Sequence, residues 1–128
     1  MSESDAVLDA AAVLALVKLE EGWESVSAVE HRAISTVNFA EAATVLSRQG
    51  VPLVVAMNTL RSLNLDVIAF DSGHAHDTAR LYPLTRSRGM SLGDRACVAL
   101  ARSLGIPAMT SDRAWGTNVD GVAVVQIR

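Results

Sequence analysis

Short apolar runs alternate with longer stretches of helical spacing along the chain. Ala6-Val7-Leu8 is a compact run of strand type that ends at Asp9, and Ala10 to Leu19 is an Ala/Leu-rich stretch that reads as helix. Gly22 breaks that helix, Trp23 to Glu30 reads as a second one, and His31 to Ser35 as a short strand. A helix then runs from Thr36 to about Gln49, with Ser35 or Thr36 as its N-cap and Gly50 as its stop. Pro52 suits the first turn of the following helix, which ends near Asn64. Asp66 to Phe70 predicts a strand, and Asp71 caps a helix that reaches toward Arg88, is bent at Pro83 and is ended by Gly89. Ser91 to Leu104 carries the clearest amphipathic pattern, with Leu92, Ala96, Ala99, Leu100 and Leu104 on one face. Gly105 closes it, Ile106 to Thr110 is a strand, a helical turn lies around Arg113 to Trp115, and Val122 to Ile127 is a last strand.

Strands alternating with helices predict a parallel sheet covered on both faces, an α/β domain in three layers. The chain shows no repeats, low-complexity tracts or linker, and its 128 residues are those of one domain. Half the residues are hydrophobic but only 4% are aromatic, so the core must be built from Ala, Val, Leu and Ile. A row of stacking rings for base recognition is disfavoured on the same count. Net charge is −3, without the global basic footprint of duplex-DNA binders. Lys18 is the sole lysine beside ten arginines, a residue suited to planar contacts with phosphate. Arg86 and Arg88, next to Gly89, are candidates for such contacts or for a solvated face. With Cys97 as the only cysteine no internal disulfide is available, and its Ala/Leu-rich setting predicts a buried, inert thiol. No apolar run reaches a membrane span, and the acidic opening Met1-Ser2-Glu3-Ser4-Asp5 lacks the basic start of a signal peptide. A soluble, cytoplasmic protein is the expectation, with no membrane partner.

The carboxylates are the informative residues. Asp9 directly follows the first strand, and Asp112 follows the strand ending at Thr110. In open α/β sheets ligands bind outside the carboxyl ends of strands. Glu41 lies in the second turn of its helix and Asp94 in the first turn of another, and helices that follow strands in this architecture begin at that same edge. The four acids can therefore meet, with Asn38, three residues before Glu41, on a shared helix face. Four carboxylates in one pocket stay ionised only beside a compensating cation. Oxygen ligands suit a hard divalent ion, and the lack of His or Cys in the set disfavours structural zinc. Such a cage suits metal-assisted phosphodiester hydrolysis. Each acid also has a plainer reading: Asp94 completes a capping-box-like Ser91-Leu92-Gly93-Asp94, Asp112 can cap the turn after it, and Glu41 can be a solvated helix residue. Asp9, after a buried strand, is costly without a partner. His74 and His76, two apart, do not share a helical face, and Trp115 reads as a core or groove-wall residue.

The segments that carry these acids resemble the motifs of PIN domains. Val7-Leu8-Asp9 with its following Ala/Leu helix is similar to the family's opening, and Ile34-Ser35-Thr36-Val37-Asn38-Phe39-Ala40-Glu41 to its second motif. Gly89-Met90-Ser91-Leu92-Gly93-Asp94-Arg95-Ala96-Cys97 resembles the third motif of VapC-type toxins, and Ala108-Met109-Thr110-Ser111-Asp112-Arg113-Ala114-Trp115 the fourth. The resemblance covers nearly the whole chain in the family's order. It implies a single PIN domain over residues 1–128, in three α/β/α layers around a central mostly parallel sheet. It also implies a Mg²⁺- or Mn²⁺-dependent endoribonuclease that acts on structured RNA such as tRNA or rRNA. It implies the toxin of a type II toxin–antitoxin pair, homodimeric and restrained by a VapB-type antitoxin. Carried over by position, Asp9, Glu41, Asp94 and Asp112 match the catalytic and metal-binding acids. Thr110 matches a hydroxyl supporting the last acid, and Asn38 a neighbour of Glu41. Where many relatives carry Ser or Thr after the first acid, this chain has Ala10.

Two other readings compete with the nuclease. One is a non-catalytic PIN-fold module that binds a partner or RNA. The other is a receiver-like phosphoacceptor domain, which also gathers acids at strand ends but resembles its relatives in carrying a late lysine, and here none follows Lys18. The Asp-x-Asp of haloacid dehalogenases is absent after the first strand, as are P-loop and dinucleotide-binding signatures.

Overall fold

A computed structural model describes residues 4–128. The acidic opening Met1-Ser2-Glu3 lies outside the described residues. Six strands form one sheet: β1 (Ala6–Leu8), β2 (Arg32–Ser35), β3 (Leu65–Ile68), β4 (Ala108–Thr110), β5 (Asn118–Val119) and β6 (Val122–Gln126). Their order across the sheet is β3-β2-β1-β4-β6-β5, parallel throughout except for the β5–β6 hairpin. The helices are α1 (Ala10–Lys18), α2 (Trp23–Ser27), α3 (Thr36–Arg48), α4 (Leu53–Arg61), α5 (Ser72–Thr85) and α6 (Leu92–Leu104). Two 3-10 turns, Arg86–Arg88 and Arg113–Trp115, follow α5 and β4.

The layers follow from the period-two alternation of side chains in the strands. Ala6, Leu8, Ile34 and Met109 face one way, into a core shared with Val13, Leu14, Val26, Leu46 and Leu60. Val7, Ala33, Ala108, Val122 and Val124 face the other way and pack with Leu81, Val98, Leu100 and Trp115. The first layer of helices is therefore α1 to α4, the second α5 and α6. The three-layer α/β/α architecture with a mostly parallel sheet is the one expected. Local signals set many of the element ends. Ser35 Oγ accepts from the Val37 N–H, and Asp71 Oδ1 accepts from the His74 N–H at 2.8 Å. Gly105, at φ 68°, closes α6 in the left-handed conformation that glycine adopts at least cost.

The structure corrects several boundaries. α2 stops at Ser27, before the expected Glu30, and β3 spans Leu65–Ile68 where Asp66 to Phe70 was expected. β5 is too short to leave a periodic trace. Leu92 and Leu104 are 60% and 41% exposed, so the expected apolar stripe of α6 does not extend to its ends. Every residue from Ala96 to Ala101 is buried, because the middle of α6 lies between the sheet and α5 and has little solvent face. His74, left without a role by spacing, is buried and completes the cap of α5. Its Nδ1 accepts from the Asp71 N–H at 3.3 Å, and its Nε2 meets Ser103 Oγ at 3.2 Å. Because Ser103 Oγ donates to the Leu100 carbonyl, the imidazole is a buried strut between α5 and α6. Trp115 is fully buried in the core. Among the described residues no helix is long and apolar enough to cross a membrane.

Candidate active site

The order in which successive parallel strands are added to the sheet reverses between β1 and β4: β2 and β3 lie on one side of β1, and β4 and β6 on the other. Beyond the carboxyl ends of such adjacent strands the connections diverge and leave a crevice. Asp9 sits there. Its N–H donates to the Met109 carbonyl at 3.1 Å, the last link of the β1–β4 ladder, and its Oδ1 accepts from the Ala12 N–H at 2.7 Å as the N-cap of α1. The register pairing Leu8 with Met109 brings Thr110 level with Asp9 across the crevice. The Thr110 hydroxyl accepts from the Asp112 N–H at 2.9 Å and lies near enough to the Asp9 carboxylate to favour its charged form.

Asp9 is only 4% exposed. Burial lifts its pKa from 3.8 to about 7; Thr110 and the Ala12 N–H pull it down, and the charges of Asp94 and Glu41 push it further up. Glu41 is raised as well, first by burial and then by Asp94, against the lowering effect of Asn38. Asp9, Glu41 and Asp94 therefore share one electrostatic environment, although they come from β1, α3 and α6. Beneath them, burial holds the Cys97 thiol well above its usual range, and the charges of Asp9, Asp94 and Glu41 all add to the effect. The thiol is neutral and is no nucleophile.

Each acid has a local anchor. Glu41 Oε1 accepts from Asn38 Nδ2 at 2.9 Å, and the same amide reaches the Gly93 carbonyl at 3.0 Å, joining α3 to α6. Asp94 Oδ2 accepts from the Ser91 N–H at 2.9 Å while Ser91 Oγ accepts from the Asp94 N–H at 3.2 Å, so the capping box foreseen as the plainer reading is present. Asp112 is exposed, its Oδ1 accepts from the Ala114 N–H at 2.9 Å, and it is not among the charges that raise Asp9 or Glu41. The structure thus groups Asp9, Glu41 and Asp94 and leaves Asp112 on the rim, tied to the group through Thr110. Helix N-termini converge at this edge, and their positive ends offset part of the charge.

Among the described residues no three His, Cys, Asp or Glu side chains stand close enough to hold one ion together. Each of the four acids has an oxygen turned to a protein N–H. The donor chemistry nevertheless suits a hard divalent cation: it is all oxygen, three of its carboxylates are coupled, and two have raised pKa values that a nearby cation would bring down. Asn38 Oδ1 adds a buried acceptor with no partner beside them. The residue that sequence reasoning overlooked is Gly93, buried against the Glu41 carboxylate. A glycine within a helical pattern, where Ala is better by about 1 kcal/mol, was the available signal.

A doubly layered parallel sheet with acids gathered at its switch point defines an α/β protein whose chemistry lies at one strand edge. The family model described as PIN domain matches residues 6–118, and the chain belongs to the PIN domain family. No curated protein matches the sequence. Solved structures share the fold at low identity. The DNA-bound VapBC complex of Salmonella typhimurium is similar at 15% identity and TM-score 0.75, over 98% of this chain and 99% of that one. VapBC2 of Rickettsia felis, bound to a promoter DNA fragment, is similar at 12% identity and TM-score 0.75, over 94% and 97%. Mycobacterium tuberculosis VapC20, described as a sarcin-ricin loop cleaving toxin, is similar at 17% identity and TM-score 0.73, over 93% and 99%.

Proposed function

We propose that this PIN domain is a Mg²⁺- or Mn²⁺-dependent endoribonuclease and the toxin of a type II toxin–antitoxin pair. The observation that carries the reading is Asp9, buried at the switch point, its pKa lifted to about 7 by burial with the charges of Asp94 and Glu41 adding to the rise. Asp9, Glu41 and Asp94 would hold the cation, with Asp112 approaching from the rim. Bound there, the cation would supply a water nucleophile at neutral pH and stabilise charge on the phosphoryl oxygens. The chain's own residues prepare that place. The Thr110 hydroxyl favours the charged form of Asp9, Asn38 fixes Glu41, and the α6 cap fixes Asp94.

The substrate in this reading is structured RNA such as tRNA or rRNA, cut where a loop exposes its backbone. Arg86 and Arg113 are exposed at the same strand edge, in the turns that flank α6 and β4, and suit phosphate contacts. Arg88 does not, because its guanidinium donates to the Trp115 and Asn118 carbonyls, both at 2.8 Å, and locks the two turns together. The similarity to VapBC complexes supports a VapB-type antitoxin as partner, one that can present a cationic side chain to the acids; a homodimeric toxin is part of the same proposal.

Purified protein should cleave RNA in Mn²⁺ and lose that activity in EDTA, and Asp9→Asn or Asp94→Asn should abolish it without unfolding. Cleavage at the parent rate by a folded, contaminant-free Asp9→Asn protein would remove Asp9 from the site. A second reading, a non-catalytic PIN-fold binding module, is favoured by one observation: Asp9, Asp94 and Asp112 each cap a helix or turn. Calorimetry separates the two, since the module would show no saturable Mn²⁺ binding.

A further inference from the structure

Gly93 is the second residue of α6, buried, and in ordinary helical conformation without positive φ. Its backbone therefore does not require glycine, and by propensity alone alanine would serve the helix better. What surrounds it does require glycine. A Cβ there would stand 2.5 Å from Glu41 Cδ and 2.6 Å from Glu41 Oε2, and closer still to Oε1. The carboxylate of Glu41 rests directly on the Gly93 Cα, in the first turn of α6, one residue before Asp94. The Asn38 amide closes the arrangement, with Nδ2 donating to Glu41 Oε1 at 2.9 Å and to the Gly93 carbonyl at 3.0 Å.

We propose that Gly93 is a positioning residue that seats the Glu41 carboxylate against the first turn of α6, in the orientation from which it reaches the divalent cation. The inference rests on the metal-dependent reading above. Its physical content is a division of labour. The atoms that a Cβ would displace are the far end of a flexible side chain, not backbone. Substitution should therefore move the carboxylate and leave α6 in place. Supporting groups of this kind typically set metal affinity by about 10- to 100-fold.

The test compares the full-length parent with Gly93→Ala, Glu41→Gln and the double variant. Mn²⁺ affinity is read by titration calorimetry and folding by thermal melting in EDTA. Gly93→Ala should weaken Mn²⁺ binding about 10- to 100-fold with its melting temperature unchanged or raised. In the Glu41→Gln background the same substitution should weaken binding no further, the non-additivity expected of residues acting through one contact. Equal weakening in both backgrounds would mean a role independent of Glu41 and would overturn the proposal. So would a Gly93→Ala protein that melts lower or does not fold, since the strain would then lie in the backbone. If Glu41→Gln weakens binding and Gly93→Ala binds like the parent, the seating role alone fails. If Glu41→Gln binds Mn²⁺ like the parent, the metal site itself has been misassigned.

Discussion

Replacing Asp9 by Asn should stabilise the metal-free protein at pH 8 and leave its stability nearly unchanged at pH 4. Asn reproduces the shape and neutrality of the protonated acid, and as an N-cap it can still accept from the Ala12 N–H. The charged form bears the cost of burial beside Asp94 and Glu41, which raises the pKa from 3.8 to about 7. This sign is opposite to that of a salt-bridged acid. Between those two values the folded chain holds a proton that the unfolded chain has released, so stability falls as pH rises. The loss begins near pH 4, is complete above about pH 7, and amounts to about 4 kcal/mol at most. In a domain of this size that corresponds to about 10–15 °C in melting temperature. The assay is thermal or urea unfolding of parent and variant in EDTA from pH 4 to 8. The difference between the two proteins isolates Asp9 from other titrating groups. A difference that stays constant across that range would refute the claim that Asp9 is held as a desolvated acid.

Three further outcomes follow from the same geometry. At pH 8 Mn²⁺ should raise the parent's melting temperature, by about 2.7 kcal/mol of stability at a hundredfold excess over its dissociation constant; Asp9→Asn should gain much less, and equal gains would place the ion elsewhere. Ser91→Ala removes the acceptor for the Asp94 N–H and should cost about 1 kcal/mol in urea unfolding, while the Asp94 carboxylate keeps its bond from the backbone N–H of residue 91; an unchanged urea midpoint would mean the cap contributes nothing. Arg113→Ala should weaken RNA binding in EDTA, where cleavage is expected to be lost, and lower the salt dependence by about one phosphate contact; an unchanged salt slope would remove Arg113 from the interface.

Much of the fold was legible because its signals are local. A strand that ends in an acid, a serine ahead of an apolar helix and a glycine after one each act over a few residues, and β1, α3 and α6 lie close to where these signals put them. The capping box at Ser91 and Asp94 is of the same kind, since both partners lie within one turn. Signals failed where neighbours decide. Leu92 and Leu104 carry the helical period but reach past the sheet into solvent, and the short β5 exists only as the pairing partner of β6.

The acids were legible as residue types at strand and helix ends, because that edge of an α/β sheet is the one that binds. Which of them share an environment was not. The sequence alone determined an α/β chain with four carboxylates placed at strand and helix ends. The tertiary structure decided that Asp9, Glu41 and Asp94 act on one another while Asp112 stays on the rim, and that the Asn38 amide and Gly93 hold Glu41 against α6. The bond from Asn38 to the Gly93 carbonyl joins residues 55 positions apart. Such contacts depend on how closely two helices approach across a sheet edge, a distance set by packing of the whole core and by no local pattern of residues.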